Sequence, residues 1–309
     1  MQPIDRATVE FDPRLGLIIG VLAAVMVFAV ALDLRWEHFR RLARNPRPPI
    51  VGLVAQLVIL PAIAYLVARA LVDTPSVALG LFLVASCPGG SVSNYMTSLA
   101  RGDLATSVTI TAVITATCLV TTPAVFGLLA SLDPATRALL REVGVDAGQV
   151  AAMFLVTIAL PILAGMVLAT RWPGLASKIR VWARRLALLL FAFVVVAGTA
   201  VNLRPMLDYA REAALPVTVT CAAALLVGWG LSRLAGLRAA DRRAVTIEAG
   251  GQQAGLAIGM AVAFFPSLAG VAVTAVIWGG VQVLLIVPTV IAWSRMPPAD
   301  DQSDRTSTR

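Results

Sequence analysis

Charged side chains are scarce in this 309-residue chain: 14% of its residues are Asp, Glu, Lys or Arg, against about a quarter in soluble domains. With 59% hydrophobic residues and a mean hydropathy of +0.85, the composition predicts a polytopic membrane protein and argues against fibrous or disordered classes. Histidine is almost missing, and its single copy, His38, lies in a basic connection. Cysteine occurs only as Cys87, Cys118 and Cys221, all inside apolar runs, which argues against a disulfide framework and a cysteine-ligated metal. Residues 1–14 lack the basic start and short apolar core of a secretory leader.

The apolar region also holds too few reactive groups for hydrolysis. It contains one carboxylate, no histidine and no lysine, so an intramembrane Ser/Lys, paired-Asp or His/Glu constellation cannot be assembled. GGSVSN at 89–94 is not a nucleophile elbow, and no phosphate loop is present. The chain reads as a non-enzyme.

What is abundant is long apolar sequence. Runs of about 20 residues predict nine spans, near 15–34, 49–71, 77–100, 104–131, 149–170, 186–203, 213–232, 243–266 and 269–294. This gives an all-α membrane protein with a polar segment 1–14, a single transmembrane domain 15–294 and a disordered tail 295–309. Connections on one side hold 18 of the 25 Lys and Arg, which places them in the cytoplasm with the C-terminus and leaves the N-terminus outside, in the inner (plasma) membrane of a cell. The formal charge of +8 is thus a topology signal, not a sign of nucleic-acid binding, and no feature points to an obligate protein partner.

Two spans contain helix breakers. CPGGSVSNYMTSLARGD at 87–103 has a proline and two glycines followed by small polar residues; TIEAGGQQAGLAIG at 246–259 has paired glycines followed by two glutamines. In the span count they are the third and eighth, so they cross the membrane in opposite directions. Two interrupted spans at matching places in antiparallel halves mark the inverted repeat of a secondary transporter, with its binding site where the broken ends meet. Glu248 is the only acidic residue well inside a span, and no lysine or arginine lies within a span to pair with it. A mid-membrane carboxylate of this kind reads as functional, with a bound cation or a proton as its counter-charge.

These two stretches, together with VGLVAQLVILPA at 51–62, resemble the signature regions of the bile acid:sodium symporter family, and the resemblance runs from about residue 15 to 294. It implies a core domain with two crossing, unwound helices beside a panel domain, and sodium-coupled import of an organic anion, such as a bile acid or a small carboxylate, by alternating access. It implies two co-transported Na+ ions. Ser93, Asn94, Ser107, Thr111 and Glu248 would bind one; Gln56, Glu248, Gln252 and the carbonyls of Ala249 and Gly251 would bind the other. Ser91, Asn94 and Gln253 would contact the substrate. Gln253 stands where relatives commonly have asparagine, and Gly279-Gly280 after Trp278 stands where some bacterial relatives have His-Asn. The rival reading is a related carrier driven by protons at Glu248, or one that exports a metalloid or anion.

Overall fold

The computed structural model describes residues 36–143, 159–183 and 203–296, with a few positions between 24 and 32 and between 185 and 189. The main helices in this part are α1 (Trp36–Arg44), α2 (Arg47–Leu71), α3 (Pro75–Ser86), α4 (Ser91–Leu99), α5 (Leu104–Leu132), α6 (Pro134–Glu142), α7 (Leu160–Arg171), α8 (Leu203–Leu234), α9 (Ala239–Gly250), α10 (Ala254–Phe264) and α11 (Ala269–Ser294). Among the described residues, four helical stretches are long and apolar enough to cross a membrane: Arg47–Leu71, Leu104–Leu132, Ala210–Leu234 and Ala269–Ser294. The architecture is all-α among the described residues. The expected spans at 15–34 and 186–203 lie largely outside them, as do the segment 1–14 and nearly all of the tail 295–309.

The expected span 149–170 is described only from residue 159, and two other expected spans, 77–100 and 243–266, are interrupted. α3 stops at Ser86, Cys87 and Gly90 are extended, and α4 resumes at Ser91; α9 stops at Gly250 and α10 resumes at Ala254. Pro88 explains the first stop, since it offers no amide donor to continue the helix. The polar groups released by each break find partners in the other. Gly89 and Gln252 form an isolated antiparallel bridge, and the Gln253 N–H donates to the Pro88 carbonyl at 3.0 Å. The Gln252 N–H donates to Gln282 Oε1 of α11, also at 3.0 Å. Backbone irregularity at membrane depth is tolerated where protein supplies the partners, and here it does.

Burial follows from this arrangement. Ser76 to Ser86 of α3 and Ala254 to Val262 of α10 are buried on every side; α3 packs against α2, α5 and α11, and α10 against α3 and α11. Phe82, Phe126, Phe265 and Trp278 fill the core, with the Phe126 and Phe265 rings 5.7 Å apart. Helices pack closely where side chains are small: a Cβ on Gly80 would lie 2.6 Å from that of Thr274. On the outside, Val58, Leu66, Val120, Leu128, Leu215, Leu226 and Leu284 are more than half exposed, a surface suited to lipid tails and costly in water.

Short helices replace two connections read from sequence as loops. α1 lies in the basic connection before α2, and α6 starts at Pro134, where the Asp133 carboxylate accepts from the Thr136 N–H at 2.9 Å. α8 begins at Leu203, ten residues ahead of the expected span, because Arg204, Asp208, Arg211 and Glu212 belong to a helical extension beyond the apolar window.

Candidate ion site at the helix crossing

Glu248 lies in the last turn of α9, just before the second break, and is fully buried. Its Oε1 accepts from three hydroxyls: Ser93 Oγ at 2.8 Å, Ser107 Oγ at 2.5 Å and Thr111 Oγ1 at 3.0 Å. The first belongs to α4; the other two stand one turn apart on α5 and so share a face. Asn94 Oδ1 adjoins the same group, accepting from Ser107 Oγ at 2.8 Å and Thr111 Oγ1 at 3.2 Å.

Each hydroxyl has one proton, but the oxygens around it want more. Thr111 Oγ1 lies within 3.2 Å of three acceptors, since it also reaches the Ser107 carbonyl at 3.1 Å. Ser93 Oγ is shared between Glu248 and the Gly90 carbonyl at 2.6 Å. The cluster is rich in oxygen lone pairs and poor in protons. Such a set favours a hard cation over a soft one.

The other carboxylate oxygen faces a different group. Glu248 Oε2 has no hydrogen-bond partner among the described residues, and neither does Gln56 Oε1. Gln56 Nε2 donates to Gln252 Oε1 at 3.1 Å, and Gln252 Nε2 donates to the Ala249 carbonyl at 3.3 Å. Gly89 lies against them: a Cβ there would be 2.9 Å from Glu248 Oε2 and 3.1 Å from Gln56 Nε2. Gln56 is delivered by a π-helical turn, Ala55–Ile59, within α2. Single π turns inside α-helices occur often at functional sites.

The structure therefore brings Ser93, Asn94, Ser107, Thr111 and Glu248 together on one side, and Gln56, Glu248, Gln252 and Ala249 on the other. Gly251 belongs to the same break, and its N–H donates to the Glu248 carbonyl at 3.3 Å. Of the expected substrate contacts, Asn94 is half-buried and Gln253 is buried with no side-chain hydrogen bond among the described residues, while the Ser91 side chain lies outside them. Trp278 is fully buried, and a Cβ on Gly280 would meet nothing within 4 Å.

Sequence reasoning passed over Gln282, although an amide inside a 26-residue apolar helix carries the same signal as Glu248. It also missed what aligns α5 with α9. Asp103 caps α5 by accepting from the Thr106 N–H at 2.6 Å, and its own N–H donates to the Ala240 carbonyl at 2.9 Å. The Thr106 hydroxyl donates to buried Asp241 at 2.8 Å, and Asp241 accepts from Arg238 Nε at 3.0 Å. Asp241 and Glu248 are seven residues apart, on one face of α9, so the clamp fixes the register in which Glu248 meets Ser107 and Thr111.

A helical membrane protein in which a deep carboxylate sits where two interrupted helices meet has the layout of a secondary transporter. Comparison makes the assignment specific: the model of the sodium bile acid symporter family matches residues 20–208, and the chain belongs to that family. Relatives include the uncharacterized sodium-dependent transporter YocS of Bacillus subtilis, 28% identical over 261 residues, covering 82% of this chain and 76% of that protein. The probable sodium/metabolite cotransporter BASS2, chloroplastic, of Oryza sativa is 29% identical, covering 75% of this chain and 53% of its own length. The P3 protein of Bos taurus is 30% identical, covering 72% and 46% respectively. The chain thus spans about three quarters of the bacterial relative and about half of the other two.

Proposed function

We propose that this protein is a sodium-coupled symporter that imports an organic anion, such as a bile acid or a small carboxylate, by alternating access, with two Na+ ions bound at the helix crossing. The observation that carries this reading is the division of Glu248. Its Oε1 faces a cluster of hydroxyls short of protons, while its Oε2 faces the Gln56 and Gln252 amides and is unpartnered among the described residues. One buried carboxylate thereby serves two separate oxygen sets. Ser93, Asn94, Ser107 and Thr111 complete the first, and Gln56, Gln252 and the carbonyls of Ala249 and Gly251 the second.

Charge balance supports an anionic substrate. Two sodium ions against one carboxylate leave a single positive charge. α4 and α10 both begin at the crossing, so their positive helix ends add to it. A monoanion oriented by Ser91, Asn94 and Gln253 neutralises the excess, and the two ions and the anion together carry one positive charge inward per cycle. An inside-negative potential, with the N-terminus outside and the C-terminus in the cytoplasm, then favours import by about 2.3 kcal/mol per 100 mV.

The test is uptake of a carboxylate and of its neutral amide into proteoliposomes under imposed sodium gradients and potentials. Sodium-dependent, inward-current-generating uptake of the anion alone is expected. Equal uptake of the amide, or anion uptake indifferent to sodium and voltage, would refute the proposal.

A further inference from the structure

The two ends of the bundle differ in charge. One end comprises residues 69–75, 133–143 and 203–213, which hold five arginines and five carboxylates. Salt bridging is local there, as in Arg69 Nη1 to Asp133 Oδ1 at 3.1 Å. The other end comprises 36–47, 99–104 and 233–243, which hold nine arginines and three carboxylates. Asp103 is shared between Arg41 at 3.1 Å and Arg238 at 3.8 Å, and Asp241 takes Arg238 as well. Arg40, Arg44, Arg47 and Arg233 are exposed, and no carboxylate pairs with them among the described residues.

Tryptophan follows the arginine. Trp229 and Trp293 belong to this end through Arg233 and Arg243, while Trp278 is buried in the core. The stretch bearing Trp182 is tied here by Arg180 Nη2, which donates to the Leu32 carbonyl at 3.0 Å, four residues before α1. Guanidinium groups stand over the rings of Trp182, Trp229 and Trp293 at 5.5, 5.2 and 5.8 Å, from Arg185, Arg233 and Arg243. Trp182 is 69% exposed and Trp229 42%. Arg243 spends its N–H groups on the carbonyls of Ala100, Trp293 and Met296, but an exposed indole beside an exposed guanidinium, as in Trp229 with Arg233, offers apolar contact to an acyl chain and charge to a phosphate. Arg47 adds a second charge at the same end of α8, because its Nη2 lies 3.7 Å from where a Cβ would stand on Gly236, three residues past Arg233.

We propose that this end is a binding surface for anionic phospholipid headgroups of its own leaflet, centred on Arg47, Arg233 and Trp229. The occupant is a lipid because the unpaired Arg233 stands over an exposed indole, Trp229, one turn from exposed Leu226, so that charge and apolar surface lie side by side. Positive charge clustered beside a membrane surface attracts anionic lipid. The surface is separate from the ion site, so its fate is independent of the transport reading.

Brominated lipid tests it on the full chain in vesicles. Brominated phosphatidylglycerol in a phosphatidylcholine host is expected to quench tryptophan emission about twofold more than an equal mole fraction of brominated phosphatidylcholine. An Arg47→Gln/Arg233→Gln variant should lose that preference, and Arg69→Gln, at the balanced end, should keep it. Equal quenching by the two lipids in the unaltered protein overturns the proposal, as does an undiminished preference in the double variant. Relief of quenching by inorganic phosphate, but not by chloride of equal ionic strength, would make a soluble anion the occupant and overturn it too.

Discussion

Gly89 and Gly90 are neighbours in the first break, and replacing each by alanine should give sharply different proteins. Neither has the left-handed backbone that excludes a side chain; Gly236 is the only glycine with positive φ among the described residues. The difference is one of space. A methyl group on Gly90 would approach nothing closer than 3.9 Å, whereas on Gly89 it would lie 2.9 Å from Glu248 Oε2 and 3.1 Å from Gln56 Nε2. The backbone cannot retreat, because Gly89 is bridged to Gln252 and Pro88 accepts from Gln253. Glu248 and Gln56 must therefore shift by a few tenths of an ångström, and Glu248 is already fixed by three hydroxyls on its other oxygen. Overpacking at such a site costs about 1–3 kcal/mol. If that cost falls on the ion-bound state, sodium affinity drops by about 5- to 150-fold at 1.4 kcal/mol per decade. Sodium titration of thermal stability in detergent, followed by uptake at graded sodium, reads it directly. Gly90→Ala should match the unaltered protein. Indistinguishable sodium curves for Gly89→Ala and Gly90→Ala would refute the placement of the ion against Oε2.

Two further substitutions separate folding from coupling. Glu248→Gln keeps an acceptor oxygen for Ser93, Ser107 and Thr111, so it should insert and melt like the unaltered protein while its sodium-stimulated uptake falls to the unstimulated rate. Asp241→Ala strands the buried Thr106 hydroxyl and should lower stability by about 1–3 kcal/mol, with a weakened sodium response because α5 and α9 lose their register. Asp241→Asn, which keeps the acceptor, should restore both in melting and sodium titration.

The sequence announced the crossing well because its signals are local. Pro88 and the glycine pairs interrupt a helix wherever they stand, and a lone carboxylate such as Glu248 is conspicuous against an apolar background. That Ser107 and Thr111 share a face follows from helical periodicity alone. What stayed hidden depends on contacts between distant segments. Nothing local to Gly89 or Gln252 says that the two breaks bridge, and Gln282 gains its role only by standing opposite the Gln252 N–H. The early start of α8 was hidden for another reason: hydropathy marks where lipid contact ends, while a charged helix continues past it.

The π turn at Ala55–Ile59 holds one residue more than α-helical winding would use. Upstream, Gly52 must face Ile110 of α5; downstream, Leu60, Ala64, Val67 and Ala68 must face the core. At about 100° per residue, the extra residue sets the phase between these two faces. Wound as α-helix throughout, the same sequence would be just as apolar, yet one half of α2 would be rotated by about a quarter of a turn against the other. Hydropathy is blind to that difference, but Gln56 could no longer meet Gln252 while Leu60 stayed in the core. The helix thus has its length set by the bilayer and its angular timing set by a single supernumerary residue.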